Sequence, residues 1–216
     1  MITFENFTLA YGNNILLRDF NFELKAKEKV VITGCSGSGK SSLLHMMAGL
    51  QFGYKGQIYW DDCALNKMKY GQILSWRRQN LGFVFQYHHL LQDFTVLENV
   101  MMSAVINGDS ITDASYAASE LLKSLQLSSH VHKPVNTLSG GEQQRVAIAR
   151  SLVHKPKIII ADEPTGALDP HTAQQTIDLL FELSANASMV MVTHNMAMLD
   201  RFDRHFIIAE GACLEA

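Results

Sequence analysis

The stretch "VVITGCSGSGKSS" limits what this chain can fold into more than any other. An apolar, β-branched run ends at Gly34; Gly37, Gly39, Lys40 and Ser41 follow at the spacing G-x-x-x-x-G-K-[ST], and a run with helical spacing comes next. This part of the chain is thereby committed to a strand, a tight loop and a helix in that order. The glycines let successive backbone N–H groups curl around an anion, Lys40 reaches terminal phosphates, and Ser41 offers an oxygen to Mg²⁺. A chance glycine-rich turn would lack the strand before it and the helix after it. The expected phosphate loop comprises Gly34, Cys35, Ser36, Gly37, Ser38, Gly39, Lys40, Ser41 and Ser42.

Further strand-like runs are "ITFENFTL", "FNFEL", "QIYW", "LGFVFQ", "KIIIAD", "SMVMVT" and "HFIIAE", several of them apolar throughout, as strands buried on both faces are. Helical patterns cover 40–50, 96–106, 112–126, 141–154 and 171–184. Strand signals cease from about residue 87 to 150 and resume at Lys157, which predicts a helical subdomain at 87–150 set into one α/β core of 1–86 and 151–216. A single domain is expected for 216 residues.

Composition excludes more than it assigns. With 18 Lys and Arg against 21 Asp and Glu, a formal charge of −3, there is no basic excess of the kind nucleic acid demands. Cys35, Cys63 and Cys213 are widely spaced and odd in number, which fits neither a disulfide framework nor a paired metal site and suits a reducing cytosol. The N-terminal stretch lacks a signal-peptide pattern, and no apolar run is long enough to span a bilayer. Any service to a membrane is expected from its cytoplasmic face. His88 and His89, adjacent and without a Cys or carboxylate partner, make a poor metal site.

Chemistry gathers at strand ends. "KIIIADEPTGALD" closes a strand on Asp162, suited to hold Mg²⁺, and Glu163, suited to orient an attacking water. A solvated acidic turn before Pro164 is the alternative if the pair is taken without the phosphate loop. "MVMVTHN" ends in His194 and "LGFVFQ" in Gln86; the imidazole suits the terminal phosphate, and the amide suits Mg²⁺ or water. Either residue, taken singly, reads as an ordinary strand end. "LSGGEQQR" adds a second helix start with an anion-binding look at Ser139, Gly140 and Gly141. One chain thus carries two phosphate-binding devices and one set of the other parts.

These motifs, in this order and over essentially the whole chain, resemble the nucleotide-binding subunits of ABC transporters. The resemblance implies a P-loop ATPase core with an antiparallel β subdomain and an inserted α-helical subdomain, acting on ATP with Mg²⁺. It implies that Tyr11 stacks on adenine, that Gln86 links nucleotide to the membrane partner, that Asp162 and Glu163 are the metal and water carboxylates, that Asp169 belongs to the loop after them, and that His194 senses the terminal phosphate. For Tyr11 an ordinary strand-end aromatic stays open beside that role. Ser139, Gly140 and Gly141 are the signature, which in the family caps ATP held by the phosphate loop of a second copy, so that one chain supplies halves of two sites. The partners implied are that second copy and transmembrane permease subunits.

"QYHHLLQDFTVLENV" and "DEPTGALD" are most similar to the LolD, MacB and FtsE branch, nearest its lipoprotein-releasing ATPases, although Gln92 stands where Pro is common and Ala167 where Asn is. His88, His89, Leu90, Leu91, Phe94, Met101 and Met102 are expected to edge a groove for a helix of the membrane subunit; the alternative is that these residues, the two Met above all, pack the subdomain's own core. A cell-division ATPase of the FtsE kind is the alternative within the branch. A soluble ABC ATPase outside transport is a further one, but it would bring a coiled-coil insertion or a second nucleotide-binding half, and neither is present.

Overall fold

The computed structural model describes residues 1–12 and 14–216. Two compact units form: one from Met1–Arg77, Ile160–Asp162 and Asn186–Ala216, the other from Arg78–Ile159 and Glu163–Ala185.

The first unit holds two sheets. An antiparallel one runs in the order β2 (Asn14–Leu24), β1 (Ile2–Tyr11), β4 (Lys55–Trp60), β5 (Cys63–Ala64). Along β1 and β2, residues alternate between core and solvent, and the alternation slips where Asn6 and Asp19 adopt positive φ, both 48°. Each slip is a bulge that bends the strand and restores the apolar face to the core. Phe4, Phe7, Phe20, Phe22 and Phe206 fill that core with edge and tilted ring contacts 4.9–6.2 Å apart.

In the second sheet β3 (Lys29–Gly34) lies between β8 (Ser188–Val192) and β9 (Arg204–Ala209), parallel to both, with β10 (Ala212–Glu215) antiparallel beyond β9. Of β7 (Ile158–Asp162), the stretch Ile160–Asp162 belongs to this unit and lies on the far side of β8. β7 and β8 are buried at every residue, as their unbroken apolar runs require. Helix α1 (Lys40–Met47) packs on β3 and β8, and its C-terminal end carries the Met47 carbonyl that accepts from buried Trp60 at 2.9 Å. Helix α2 (Tyr70–Asn80) buries only Ile73.

The second unit is mainly helical, with α3 (Val96–Asn107), α4 (Ile111–Ser124), α5 (Gly140–Leu152), α6 (Pro170–Leu183) and the short strand β6 (Leu81–Val84). α3 packs on α4 and α5; α5 packs on α6 and β6. Their starts are chemically specified: Thr95 with Glu98 and Ser139 with Glu142 form capping boxes, while Ser110 and Asp169 cap α4 and α6.

Against the expectations from sequence, α1 ends three residues before position 50, because Gly49 takes φ 61° and turns the chain. The two-residue β5, α2 and β10 escape the hydrophobic pattern. α2 has too polar a sequence to show a stripe, and β10 follows a tight turn at Glu210 and Gly211, both at positive φ.

Candidate functional site

Gly34 closes β3 at φ 147°, pairing with Ile208 of β9, and a Cβ there would lie 2.4 Å from the Ile208 carbonyl oxygen. Only glycine lets the chain leave the sheet edge at this point. The loop then turns through Gly37 (φ 77°) to Gly39 (φ 95°), which precedes α1 with its Cα against Leu16 of β2. The ammonium of Lys40 is buried and donates to the carbonyls of Gly34 at 2.8 Å and Cys35 at 2.7 Å. A cation is thus held inside the loop's own curve by neutral carbonyls, acceptors weaker than a phosphate oxygen would be.

Other predicted residues of the first unit gather around this loop. Tyr11 ends β1, 48% exposed, and its hydroxyl donates to Ser42 Oγ at 3.1 Å while accepting from Gln51. Its ring is thereby tethered beside α1 with a face open to solvent. In the β3–β8 ladder Ile32 pairs with Val192, so two residues on His194 leaves the sheet level with Gly34. Asp162 closes β7, only 5% exposed, and its Oδ1 is buried without a hydrogen-bond partner in the protein. A buried carboxylate oxygen in that condition is suited to a cation. Ser41 is exposed in the first turn of α1, and Cys35 is an exposed free thiol.

In the second unit Glu163 takes φ 43°, a left-handed conformation uncommon for a residue with a side chain. Gly166 N–H donates to the Glu163 carbonyl at 3.0 Å, and a Cβ at Gly166 would lie 3.1 Å from Glu163 Oε2, a tight contact that keeps the carboxylate close over this turn. Gln86 is exposed, two residues beyond β6. Asp169 spends its carboxylate on the start of α6, accepting from His171 N and Thr172 N at 3.1 Å each, and a hydrogen bond from the Thr172 side chain, with these backbone bonds, holds its pKa below the usual carboxylate value.

The signature is the start of α5. Ser139 caps the helix, and helix geometry leaves the N–H groups of Gly140 and Gly141 without intrahelical acceptors. Gly141 is buried under α6: a Cβ there would lie 2.4 Å from Thr172 Cγ2. The Ser139 hydroxyl donates to Glu142 Oε2 at 2.7 Å, so a carboxylate already occupies part of the positive helix end.

The segment 86–95 departs from its expected form. Leu90 is 7% exposed and belongs to the core, whereas Leu91 at 42% and Phe94 at 37% face solvent. Two residues that the sequence reading missed shape this segment. Arg150 of α5 donates to the carbonyls of His88 at 2.8 Å and His89 at 2.6 Å, and buried Asn99 of α3 bonds Leu91 N, Leu91 O and Phe94 O. The available signal was an Asn within the apolar face of α3, where only a fully bonded amide is tolerated. Phe83, Phe85, His89, Ser103, Arg150 and His154 line a cavity of about 340 Å³ beside the segment.

A family model described as ABC transporter matches residues 17–166. The chain is 44% identical over 218 residues to the lipoprotein-releasing system ATP-binding protein LolD of Rickettsia bellii, covering 98% of this chain and 96% of that protein. To the LolD of Idiomarina loihiensis it is 43% identical over 199 residues, covering 91% and 87%. Among solved structures, the ATP-binding cassette MJ0796 in a dimeric post-hydrolysis state bound to ADP and Pi superposes with a TM-score of 0.89 at 34% identity, covering 100% of this chain and 98% of that one. A second dimeric structure of MJ0796, described as a bacterial ABC transporter cassette, gives 0.88 at 36% identity over 98% and 96%. A phosphate loop at the edge of a parallel sheet and likeness of this breadth lead to one conclusion: the chain belongs to the ABC transporter family, as an ATP-binding ATPase subunit.

Proposed function

We propose that this chain hydrolyses ATP as one of a head-to-tail pair on the cytoplasmic face of the inner membrane, and that hydrolysis drives permease subunits in lipoprotein release. The observation that carries the reading is the loop Gly34–Ser42, with the Lys40 ammonium held inside it and the unpaired Oδ1 of Asp162 at a strand end of the same unit. The likeness to LolD proteins supports the substrate class, and the dimeric relatives support the pairing.

The chemistry follows from the residues. N–H groups of the loop and the start of α1 bind the phosphate chain, and Lys40 exchanges two carbonyl partners for phosphate oxygens. Tyr11 offers a tethered aromatic face to adenine. Mg²⁺ fits the oxygen donors Ser41 and Asp162 of the first unit, the family resemblance adds the Gln86 amide oxygen, and when bound it would neutralise charge on the phosphates. Glu163 orients the attacking water, and His194 contacts the terminal phosphate. Ser139, Gly140 and Gly141 of the second copy close the site with free N–H groups, while Asp169, at the start of α6, holds the loop beside them. The exposed Leu91 and Phe94 offer an apolar edge to a helix of the membrane partner. No helix among the described residues is long and apolar enough to cross a membrane, which is consistent with a separate permease.

Mixed dimers test the pairing. One chain carries Lys40→Ala and the other Ser139→Arg. Composite sites put both lesions in one site and leave the other intact, so one ATP per dimer is occluded. With both substitutions on one chain, opposite an unaltered copy, both sites are broken and none is occluded. The reverse pattern overturns the reading.

A further inference from the structure

Signature residue Ser139 is bonded in a way that the task proposed for it must undo. A serine hydroxyl has one proton to give. Here it goes to Glu142 Oε2 at 2.7 Å, and the same oxygen accepts from Ser139 N at 2.8 Å. Glu142 N–H approaches the Ser139 oxygen at 3.4 Å. While this arrangement stands, a phosphate arriving at the helix start meets an oxygen whose proton is turned away and a carboxylate of its own sign in the first turn.

An ordinary capping box ends there, and α3 provides one for comparison. Thr95 donates to Glu98 through N at 2.8 Å and Oγ1 at 2.7 Å, nearly the same geometry, and Glu98 is pulled acidic by those Thr95 bonds alone. Glu142 differs in its second oxygen. His130 Nε2 lies 3.3 Å from Glu142 Oε1, and His130 Nδ1 in turn meets Ser129 Oγ at 3.0 Å. Both side chains of the pair are about three-quarters buried, His130 at 21% and Glu142 at 24% exposure. The charged or titratable groups acting on Glu142 are therefore His130, from the turn before the signature, and Arg145, one helical turn along α5.

We infer that Glu142 and His130 are positioning residues for the signature: a charged His130 on Oε1 compensates the Glu142 carboxylate and weakens its hold, through Oε2, on the Ser139 hydroxyl, which is then free to donate to the terminal phosphate of ATP held by the second copy. The inference rests on the composite-site reading above. No bond other than hydrogen bonds changes, and the proton of Ser139 stays on its oxygen while its acceptor passes from carboxylate to phosphate. Closure of the pair is then favoured when His130 carries its proton and opposed when it does not, because the carboxylate then keeps the hydroxyl and its charge stands uncompensated beside the phosphate.

The test uses the full chain in a Glu163→Gln background, which holds ATP unhydrolysed, with ATP-driven dimerisation followed by analytical ultracentrifugation from about pH 5.5 to 8, the range of histidine titration. The dimer is expected to be about tenfold tighter at the acid end, the size of one charge interaction near a helix terminus. His130→Gln shrinks that gain. Glu142→Gln, which still accepts from Ser139 N but takes no proton from the hydroxyl as a charged acceptor, also shrinks it and leaves the dimer at least as tight as the parent at pH 8. The double variant behaves as Glu142→Gln does. A gain that persists in His130→Gln, or a Glu142→Gln dimer weakened equally with and without His130, overturns the inference and returns Glu142 to an ordinary cap. Ser139→Arg in the same assay separates the two readings. If dimerisation survives it, the composite site itself fails; if dimerisation is lost while the Glu142 and His130 variants change nothing, only the positioning pair fails.

Discussion

Gly141→Ala probes how the signature is held. The added Cβ would stand 2.4 Å from Thr172 Cγ2, with Thr172 Cβ next at 3.8 Å. One methyl is therefore the whole obstacle. Thr172 cannot withdraw easily, since its N–H is bonded to Asp169 at 3.1 Å and its β-branched side chain is stiff about χ1. Overpacking of this kind costs about 1–3 kcal/mol, against which the helix gains about 0.5–1 kcal/mol from replacing glycine. The net expectation is a loss of about 1–2 kcal/mol, or roughly 3–6 °C in melting temperature for a chain of this size. Thr172→Ser removes the offending methyl and leaves an ordinary contact, so the double variant should recover nearly all of the loss, with a coupling of about 1–2 kcal/mol in a double-mutant cycle. Thermal melts by circular dichroism measure all four proteins. The same set assayed for ATP-dependent dimerisation should show Gly141→Ala impaired and the double variant restored, since the clash moves the helix start that carries Ser139. If Gly141→Ala is as stable as the parent, or is equally unstable with serine at 172, the close contact of α5 with α6 is not what demands glycine.

Three further outcomes follow from the geometry. Glu163→Gln should keep ATP binding and accumulate as an ATP-bound dimer with turnover lowered by about 10² or more, the scale of a positioned base; turnover near the parent value removes Glu163 from that role. Leu91→Ser with Phe94→Ser should weaken assembly with the permease while ATP affinity stays near the parent's, whereas Leu90→Ser should lower stability by about 2–5 kcal/mol, as loss of a buried leucine does, and pull-down with matched melts distinguishes the two. At pH 8 a soluble maleimide should label Cys35 and Cys63, both exposed, and ATP should shield Cys35; Cys213, half-buried and with its thiol pushed by burial up to about 12, should react much more slowly in the folded chain. Labelling of Cys213 as fast as that of Cys35 and Cys63 would refute that order.

Much of this was legible in the residues themselves because the relevant constraints are local. The phosphate loop needs glycines at fixed offsets, the buried strands β7 and β8 need unbroken apolar runs, and α3, α4 and α5 start with Ser or Thr followed by an acid three residues on, so each can be read from a short window. What the sequence did not carry was contact between distant residues. Nothing near Leu90 and Leu91 says that one is core and the other surface; that is decided by Arg150 and Asn99, which fix the backbone of the segment from two different helices. The requirement for glycine at 141 lies in Thr172 on α6, and the partner that distinguishes Glu142 from Glu98 is His130, twelve residues earlier in the chain. Short-range propensity and spacing determine which elements form and where their chemistry sits. Packing across elements determines which of those groups are free to act, because a hydrogen-bond partner or a colliding methyl is a matter of distance in space, and sequence records only distance along the chain.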